Sequence, residues 1–245
     1  MAVRGVPMPN HAKTALVTGA AQRVGRAIAI GLAETGWNVA ITFNASRDEA
    51  RQTVAAIEKL GRKAIALKAD FTRPQKSVPA VKDAVHKRFG KIHLLVNNAS
   101  IYVPGDDPDD ARRMWAVHVE TPLLLSRAFA ADLRNGGRII NMLDATVQRP
   151  LPQYAAYCAS KAGLWNLTLS LARRFAPHAT VNGIAPGVVL WPSAYPKSLQ
   201  QKYLRRVPLQ QSGTPQQVVQ CVLFFCQQNY VTGQVVVLDG GRSLV

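Results

Sequence analysis

Residues 13–26, KTALVTGAAQRVGR, decide the fold of this chain. The first six of them form a largely apolar run of strand length, which leads directly into a turn that begins at Gly19. From Arg23 to about Thr35, apolar residues recur at helical spacing. A strand, a glycine turn and a helix in this order present backbone N–H groups and the positive end of a helix dipole to a pyrophosphate. The stretch therefore predicts a dinucleotide-binding α/β fold.

The turn departs from the usual three-glycine pattern at one position. Gly19 and Gly25 are present, and Arg23 takes the place of the middle glycine. The glycine pattern is therefore weak evidence by itself. An arginine at this position can instead reach a phosphate or a substrate.

Strands and helices continue to alternate along the rest of the chain. The further predicted strands are residues 37–43, 63–68, 92–96, 138–143, 180–184 and 235–238. The further predicted helices are residues 46–60, 74–89, 114–133, one that carries Tyr157, and 215–226. Such alternation implies a single-domain, Rossmann-like, doubly wound parallel sheet of about seven strands with helices on both faces. We expect this domain to span residues 13–245, after a flexible tail over residues 1–12 and with a substrate loop at about 187–212.

Composition limits the classes of protein that this chain can belong to. It has 245 residues, 48% of them hydrophobic, which is enough for a substantial core. It contains no run of 18 apolar residues, and its start lacks the apolar centre of a signal peptide, so we expect a cytoplasmic protein. The three cysteines, Cys158, Cys221 and Cys226, form no ligand pattern, so we predict no metal site.

The formal net charge of +16 raises the possibility of a nucleic-acid partner. The basic residues between Arg47 and Lys91 are interspersed with acidic ones, and the chain shows no nucleic-acid-binding motif. We favour a solvated basic surface that also attracts an anionic cofactor.

The residues after the second predicted strand indicate which cofactor binds. An NAD-specific protein usually carries an acid here to hold the ribose hydroxyls, but no acid occurs before Asp48. Asn44, Ser46 and Arg47 offer donors and a positive charge suited to a 2′-phosphate, which favours NADPH. The alternative is that Arg47 merely begins a solvated helix.

A tyrosine and a lysine lie four residues apart within residues 139–163. On a helix, Tyr157 and Lys161 share one face, and a nearby ammonium favours the phenolate form. Asp144 lies thirteen residues before Tyr157, at the end of an apolar strand. These three residues predict a proton donor beside the cofactor. The alternatives are an ordinary surface lysine and, for Asp144, a loop or helix-capping carboxylate.

Several motifs in order along the chain resemble the short-chain dehydrogenase/reductase family. They are TGAAQRVG, the Asp70 position, NNAS, YCASK, IAPG and LDGG. Asp144 replaces the serine that usually polarises the substrate carbonyl. Together with Arg23 and an aromatic residue after NNAS, here Tyr102, this resembles the pteridine reductase branch, including the bacterial dihydromonapterin reductases.

The resemblance implies site residues and an assembly state. It implies that Arg23 contacts cofactor phosphate and pterin, that Tyr102 stacks on the pterin, and that the protein is a homotetramer. Its expected cofactor residues are Gly19, Arg23, Val24, Gly25, Asn44, Ala45, Ser46, Arg47, Asp70, Phe71, Asn98, Ala99, Ser100, Tyr157, Lys161, Pro186 and Gly187. Its expected substrate residues are Arg23, Ser100, Tyr102, Asp144 and Tyr157. His118 stands where many members carry an asparagine that holds a water of the proton relay.

The expected reaction is hydride transfer from NADPH to a C=N carbon of a dihydropterin. Tyr157, in concert with Asp144, would deliver the proton to nitrogen, while Lys161 would bind the nicotinamide ribose and lower the pKa of Tyr157. Tyr154 is not expected to be the acid, because Cys158 and not a lysine lies four residues further on. The alternatives are a reductase of 3-oxoacyl thioesters or similar ketones, and a binding protein that uses its basic surface.

Overall fold

The computed structural model describes residues 13–105 and 107–245; the predicted tail over residues 1–12 lies outside the described residues. Within the described part of the chain, seven strands form one parallel sheet in the order β3-β2-β1-β4-β5-β6-β7. The strands are β1 (Thr14–Val17), β2 (Asn38–Phe43), β3 (Ala64–Lys68), β4 (Leu94–Asn97), β5 (Gly137–Met142), β6 (Ala179–Pro186) and β7 (Val235–Leu238). The predicted Rossmann-like, doubly wound parallel sheet is confirmed.

The helices of the described residues cover both faces of this sheet. They are α1 (Arg23–Glu34), α2 (Arg47–Lys59), α3 (Pro74–Phe89), α4 (Pro108–Trp115), α5 (Thr121–Ala128), α6 (Ala155–Phe175), α7 (Lys197–Leu204) and α8 (Pro215–Gln227). Alternate strand residues point to opposite faces. Val17 belongs to a buried cluster with side chains of α1 and α8. Leu16 belongs to a second cluster with side chains of α3, α5 and α6.

The strand order reverses between β1 and β4, which are neighbours in the sheet. In open parallel sheets a ligand binds at this switch point, in the crevice beyond the carboxyl ends of the strands. The segments that leave β1, β4 and β5 at this edge begin at Thr18, Asn98 and Leu143. The fold therefore gathers the glycine turn, the NNAS motif and Asp144 along one edge.

The predicted helix over residues 114–133 is interrupted, which corrects that expectation. A π-helical turn spans Ala116–Glu120 between α4 and α5. Pro122 explains it, because proline lacks an N–H and its ring clashes with the carbonyl four residues earlier. The Thr121 N–H bonds instead to the Ala116 carbonyl, five residues back. The wide turn directs His118 into the interior, where its side chain is only 1% exposed.

The segment over residues 187–212, predicted as a loop, contains a helix of its own. This helix, α7, follows Pro196 and lies on the surface, since none of its residues is buried. The segment returns to the sheet near Val207, which is 3% exposed. The predicted substrate loop is therefore partly helical.

Candidate active site

Two glycines allow the turn after β1 to pack closely. Gly19 has a φ of +61°, and a Cβ on Gly25 would lie 2.4 Å from the Gly19 carbonyl oxygen. The Asn98 side chain donates to the carbonyls of Thr18 at 2.8 Å and Gly19 at 3.0 Å. The NNAS motif therefore holds the glycine turn in place from the neighbouring strand.

The N-terminus of α1 is suited to an anion. The Gln22 side chain, at the cap position, makes no capping bond, and the first turn contains no acidic residue. The first N–H groups of a helix have no partner within the helix, and its dipole favours negative charge there. Val24 is half-buried and Arg23 exposed at this end. The turn therefore fits the pyrophosphate that the sequence predicts.

Arg23 adopts an unusual backbone conformation. Its φ is +55°, in the left-handed region that glycine adopts without cost. Its guanidinium Nη2 donates to the Leu190 carbonyl at 3.1 Å. Arg23 thus connects the glycine turn to the loop after β6. Its described contact is to this loop and not to Asp144 or Tyr157.

The residues predicted to hold a 2′-phosphate follow β2. Asn44, Ala45 and Arg47 are exposed there, and Ser46 is half-buried. The nearest acid, Asp48, forms an exposed ion pair with Arg51 at 3.7 Å. Arg47 is the first residue of α2. The helix start, which was the alternative interpretation, and the predicted phosphate contact therefore fall on the same residue.

Asp70 and Phe71 follow β3, where the sequence places an adenine. Asp70 Oδ1 accepts bonds from the Thr72 hydroxyl at 2.7 Å and the Thr72 N–H at 3.0 Å. These two bonds lower the pKa of Asp70. The Phe71 side chain is instead buried in the cluster beneath α3, so only its backbone can face a ligand.

Asp144 and Tyr157 are hydrogen-bonded to each other. The Tyr157 hydroxyl donates to Asp144 Oδ2 at 2.8 Å. The other carboxylate oxygen, Oδ1, accepts from the Thr146 N–H at 2.8 Å and caps the short 3-10 turn over Ala145–Val147. The two readings of Asp144, capping residue and partner of the tyrosine, therefore hold at the same time.

Lys161 is buried next to this pair. Its Nζ lies 5.8 Å from the Tyr157 ring centroid and donates to the Met142 carbonyl at 2.9 Å. Burial lowers the pKa of Lys161 to about 8, and the Asp144 charge opposes this change. The shared helical face of Tyr157 and Lys161 is as predicted.

The expected lowering of the Tyr157 pKa does not occur in this structure. Burial raises that pKa well above its ordinary value, and the charge and hydrogen bond of Asp144 raise it further. The reason is that the phenol is 4% exposed and donates to an acid, whereas the Lys161 ammonium is directed to a backbone carbonyl. The chain alone therefore stabilises a neutral phenol, the proton-donating form.

His118 links β4 to α6. Its Nε2 accepts from the Ile101 N–H at 3.2 Å and lies 2.9 Å from the Ser100 hydroxyl. Because Nε2 is an acceptor, Nδ1 carries the hydrogen and donates to the Ser160 hydroxyl at 2.8 Å. Burial places the pKa of His118 well below its ordinary range. The imidazole is therefore a neutral bridge, with its ring centroid 5.5 Å from that of Tyr157.

Tyr102 lies in a cluster of three tyrosines at the crevice. Its ring meets Tyr157 edge-on at 4.7 Å and stacks on Tyr154 at 4.3 Å, with 17° between the latter planes. Tyr102 is 53% exposed, so it is not a core residue. One ring face is covered by Tyr154, so a pterin that stacks on Tyr102 must use the other face or displace Tyr154.

Pro186 ends β6, and Gly187 follows it beside the end of β7. The Gly187 N–H donates to the Leu238 carbonyl at 3.0 Å. A Cβ on Gly187 would lie 2.9 Å from the Asp239 Cβ. The IAPG and LDGG motifs therefore pack against each other, and the IAPG turn fixes where the substrate loop starts.

The sequence missed two connections in this site. Ser160 accepts from His118 and donates to the Tyr157 carbonyl at 2.7 Å, although it lies within the YCASK motif. Thr18 accepts the N–H groups of Asn98 and Ala99, each at 2.9 Å. The position of Thr18 at the end of an apolar strand was the sequence signal that could have indicated this contact.

The described residues lack two further features. No helix in them is long and apolar enough to cross a membrane. Across residues 13–105 and 107–245, no group of three or more His, Cys, Asp or Glu side chains could hold a metal ion.

The parallel sheet and the arrangement of Asp144, Tyr157 and Lys161 are typical of one class of enzyme. Comparison with known proteins identifies the same class. A family model described as enoyl-(acyl carrier protein) reductase matches residues 19–243. The chain belongs to the short-chain dehydrogenase/reductase family, and it is an oxidoreductase. The resemblance predicted from the motifs is therefore confirmed.

Several relatives are similar over nearly the whole chain. Pteridine reductase 1 of Leishmania tarentolae is 33% identical, over 95% of this chain and 97% of its own length. The 3-oxoacyl-[acyl-carrier-protein] reductase FabG of Staphylococcus epidermidis is 32% identical, over 95% and 99%. The crystal structure of FolM alternative dihydrofolate reductase 1 from Brucella canis, complexed with NADP, is 33% identical, covers 95% of this chain and 94% of its own, and has a TM-score of 0.88.

Proposed function

We propose that this enzyme is an NADPH-dependent reductase that converts a dihydropterin to its tetrahydro form. The observation that carries the proposal is the 2.8 Å bond from the Tyr157 hydroxyl to Asp144. It places a second acid beside the tyrosine, where the wider family usually carries a serine. The substrate class comprises dihydrobiopterin, dihydromonapterin and dihydrofolate.

The described residues fit a nicotinamide dinucleotide at the switch point. The uncapped start of α1 suits the pyrophosphate, and exposed Asn44 and Arg47 suit a 2′-phosphate. We assign Lys161 to the nicotinamide ribose and Ser100 to the cofactor, as the family resemblance implies. When bound, NADPH supplies the hydride that reduces the substrate. The NADP bound to the FolM structure supports the choice of cofactor.

The residues of the chain supply the proton. Reduction of a C=N bond leaves a nitrogen that must be protonated, and the neutral Tyr157 hydroxyl is a donor for it. Asp144 orients that hydroxyl and can pass a proton to it from solvent, because its carboxylate is only half-buried. The buried Lys161 ammonium stabilises negative charge that develops on the phenol when the proton leaves.

The competing function is reduction of 3-oxoacyl thioesters. FabG is about as similar to this chain as pteridine reductase 1 is. A carbonyl reductase needs a neutral donor at the substrate oxygen, and a carboxylate at position 144 would instead repel the oxyanion that forms there. Asp144 therefore favours the pterin over the ketone.

A substrate panel tests the proposal. Purified protein is mixed with NADPH or NADH and with dihydrobiopterin, dihydromonapterin, dihydrofolate or acetoacetyl-coenzyme A, and cofactor oxidation is followed. We expect oxidation of NADPH with at least one dihydropterin and a kcat/KM for acetoacetyl-coenzyme A at least about tenfold lower. A preference for the thioester would overturn the pterin assignment, and a preference for NADH would overturn the role of Asn44 and Arg47.

The family resemblance also proposes a homotetramer in the cytoplasm, without a nucleic-acid partner. Light scattering of the purified protein tests the first statement, and a gel-shift assay with duplex DNA tests the last. A monomer, or a shift that survives physiological salt, would contradict them.

A further inference from the structure

A cavity of about 570 Å³ lies beside the end of α7 and is strongly basic. Its lining residues are Arg149, Arg205, Arg206, Pro208, Arg242 and Val245. Among these described residues there are four arginines and no acidic side chain. Four like charges around one cavity repel one another, so an anion bound between them would be favoured.

Arg242 is held in place by two contacts, and one of its hydrogen-bond donors is unpaired among the described residues. Its guanidinium lies 5.8 Å from the centroid of the Tyr203 ring, and its Nη1 donates to the Val245 backbone oxygen at 2.8 Å. Its Nε atom is buried and has no hydrogen-bond acceptor among the described residues. A buried donor without an acceptor is costly, so the described residues do not satisfy this guanidinium fully.

The cavity adjoins the catalytic carboxylate. The short turn over Ala145–Val147, which Asp144 caps, lies against the Arg242–Leu244 turn. Burial raises the pKa of Tyr203, Arg242 opposes that rise and Asp144 adds to it, so both charges act on one phenol. Tyr203 therefore lies within electrostatic range of both Asp144 and Arg242.

A cluster of three aromatic rings begins beside Arg242, whose guanidinium lies over Tyr203. The Tyr203 ring meets Trp191 edge-on at 5.4 Å, and Trp191 stacks on Tyr195 at 5.1 Å. These three rings belong to the substrate loop and to α7. They are suited to a flat, apolar aryl group that extends from a ring bound near Asp144.

We propose that the arginine cavity binds the carboxylate tail of a pterin substrate that carries an aryl-glutamate side chain, as dihydrofolate does. The inference rests on the proposed function and selects one kind of dihydropterin among its possible substrates. The pterin ring would lie at Tyr157 and Asp144, the aryl group along Tyr203, and the glutamate carboxylates among the arginines. A guanidinium binds a carboxylate through two parallel hydrogen bonds, so exposed Arg205 and Arg206 can close on the tail. A substrate with a short neutral side chain would leave these arginines unused.

The experiment compares substrates on matched arginine variants. Arg205→Gln combined with Arg206→Gln removes two charges at the cavity, and Arg173→Gln combined with Arg174→Gln removes two exposed charges on α6. For each protein, kcat/KM is measured with dihydrofolate, with dihydrobiopterin and with acetoacetyl-coenzyme A. Calorimetry of dihydrofolate binding to the protein with NADP⁺ gives an affinity that does not depend on turnover, and thermal melts confirm that both variants fold.

We expect the cavity variant to lower the ratio of the dihydrofolate to the dihydrobiopterin kcat/KM by about tenfold, mostly through KM. The α6 variant should leave this ratio unchanged. The dihydrofolate affinity of the unmodified protein should also fall steeply with added salt. An equal loss in both variants, or none in either, would overturn the subsite.

Two further outcomes separate this subsite from the proposed function. If the cavity variant impairs only acetoacetyl-coenzyme A, the anion is a phosphate of a thioester substrate and the carboxylate assignment is wrong. If no dihydropterin is reduced at all, the proposed function fails before the subsite is reached. Reduction of dihydrobiopterin with an unchanged ratio in the cavity variant would overturn the subsite alone.

Discussion

The carboxylate of Asp144 uses its two oxygens for two different purposes. Oδ2 accepts the Tyr157 hydroxyl at 2.8 Å, and Oδ1 caps the following turn through the Thr146 N–H at 2.8 Å. The capping bond fixes the carboxylate, and the fixed carboxylate orients the phenol. The loop after β5 therefore sets the direction of the proton donor before any substrate binds.

Replacement of Asp144 by Asn removes the charge of the side chain and keeps its shape. The asparagine oxygen can keep the cap to Thr146, so the loop should fold as before. Loss of the acid should lower kcat for dihydropterin reduction by about 100-fold, the low end of the effect of a general acid. Steady-state kinetics with NADPH measures this.

The control for that variant is Asp107→Asn, which alters the exposed aspartate that caps α4. It should leave kcat unchanged. If Asp144→Asn retained full kcat, the carboxylate would be a loop cap only and the proton would come from elsewhere.

Alanine variants in a helix are usually more stable than glycine variants. The positive φ of Arg23 predicts the opposite order of stability at this position. A side chain in the left-handed region costs about 1 kcal/mol or more, so Arg23→Gly should be more stable than Arg23→Ala by about 1 kcal/mol. Both variants lose the bond to the Leu190 carbonyl, so the difference between them isolates the backbone. Urea unfolding of the two variants measures it.

Arg26 provides the matched comparison, because it is exposed within α1 and close in sequence. There Arg26→Gly should be less stable than Arg26→Ala by about 1 kcal/mol, the usual cost of glycine in a helix. The same order of stability at both positions would contradict the strain at Arg23.

The fold could be predicted because local patterns determine it. Apolar runs define β1 to β7, and segments with helical periodicity separate them. The strand at 235–238 and the helix at 74–89 have the predicted bounds. The interruption by the π-helical turn could not be located from periodicity, which hardly differs between the two kinds of helix. Pro122 was the available signal.

The site could be predicted only where its contacts are local. The spacing of Tyr157 and Lys161 gives their shared face, because one helix carries both. The hydrogen bonds of His118 to Ser100 and Ser160 span 18 and 42 residues, and no local pattern encodes them. The arginine cavity likewise gathers Arg149, Arg206 and Arg242 from distant segments.

His118 should contribute more to stability than an ordinary histidine. His118→Ala would leave the Ile101 N–H without its acceptor, remove the donor to the Ser160 hydroxyl and leave a cavity in the interior, at a cost of about 2–4 kcal/mol. His86→Ala is the control, because the His86 side chain is 33% exposed and makes one side-chain hydrogen bond, to Asp132, so its loss should cost less than the loss of His118. Urea unfolding measures both, and equal losses would contradict the bridging role.

The final prediction concerns the pH dependence that Lys161 confers. Burial lowers its pKa from 10.5 to about 8, so between these values the unfolded chain binds the proton and the folded chain does not. Stability must therefore rise with pH across that window. Relative to Lys161→Met, the wild type should gain about 3 kcal/mol of unfolding free energy between about pH 7 and pH 10.5. A flat difference for Lys161→Met would mean that the ammonium reaches solvent in the folded chain.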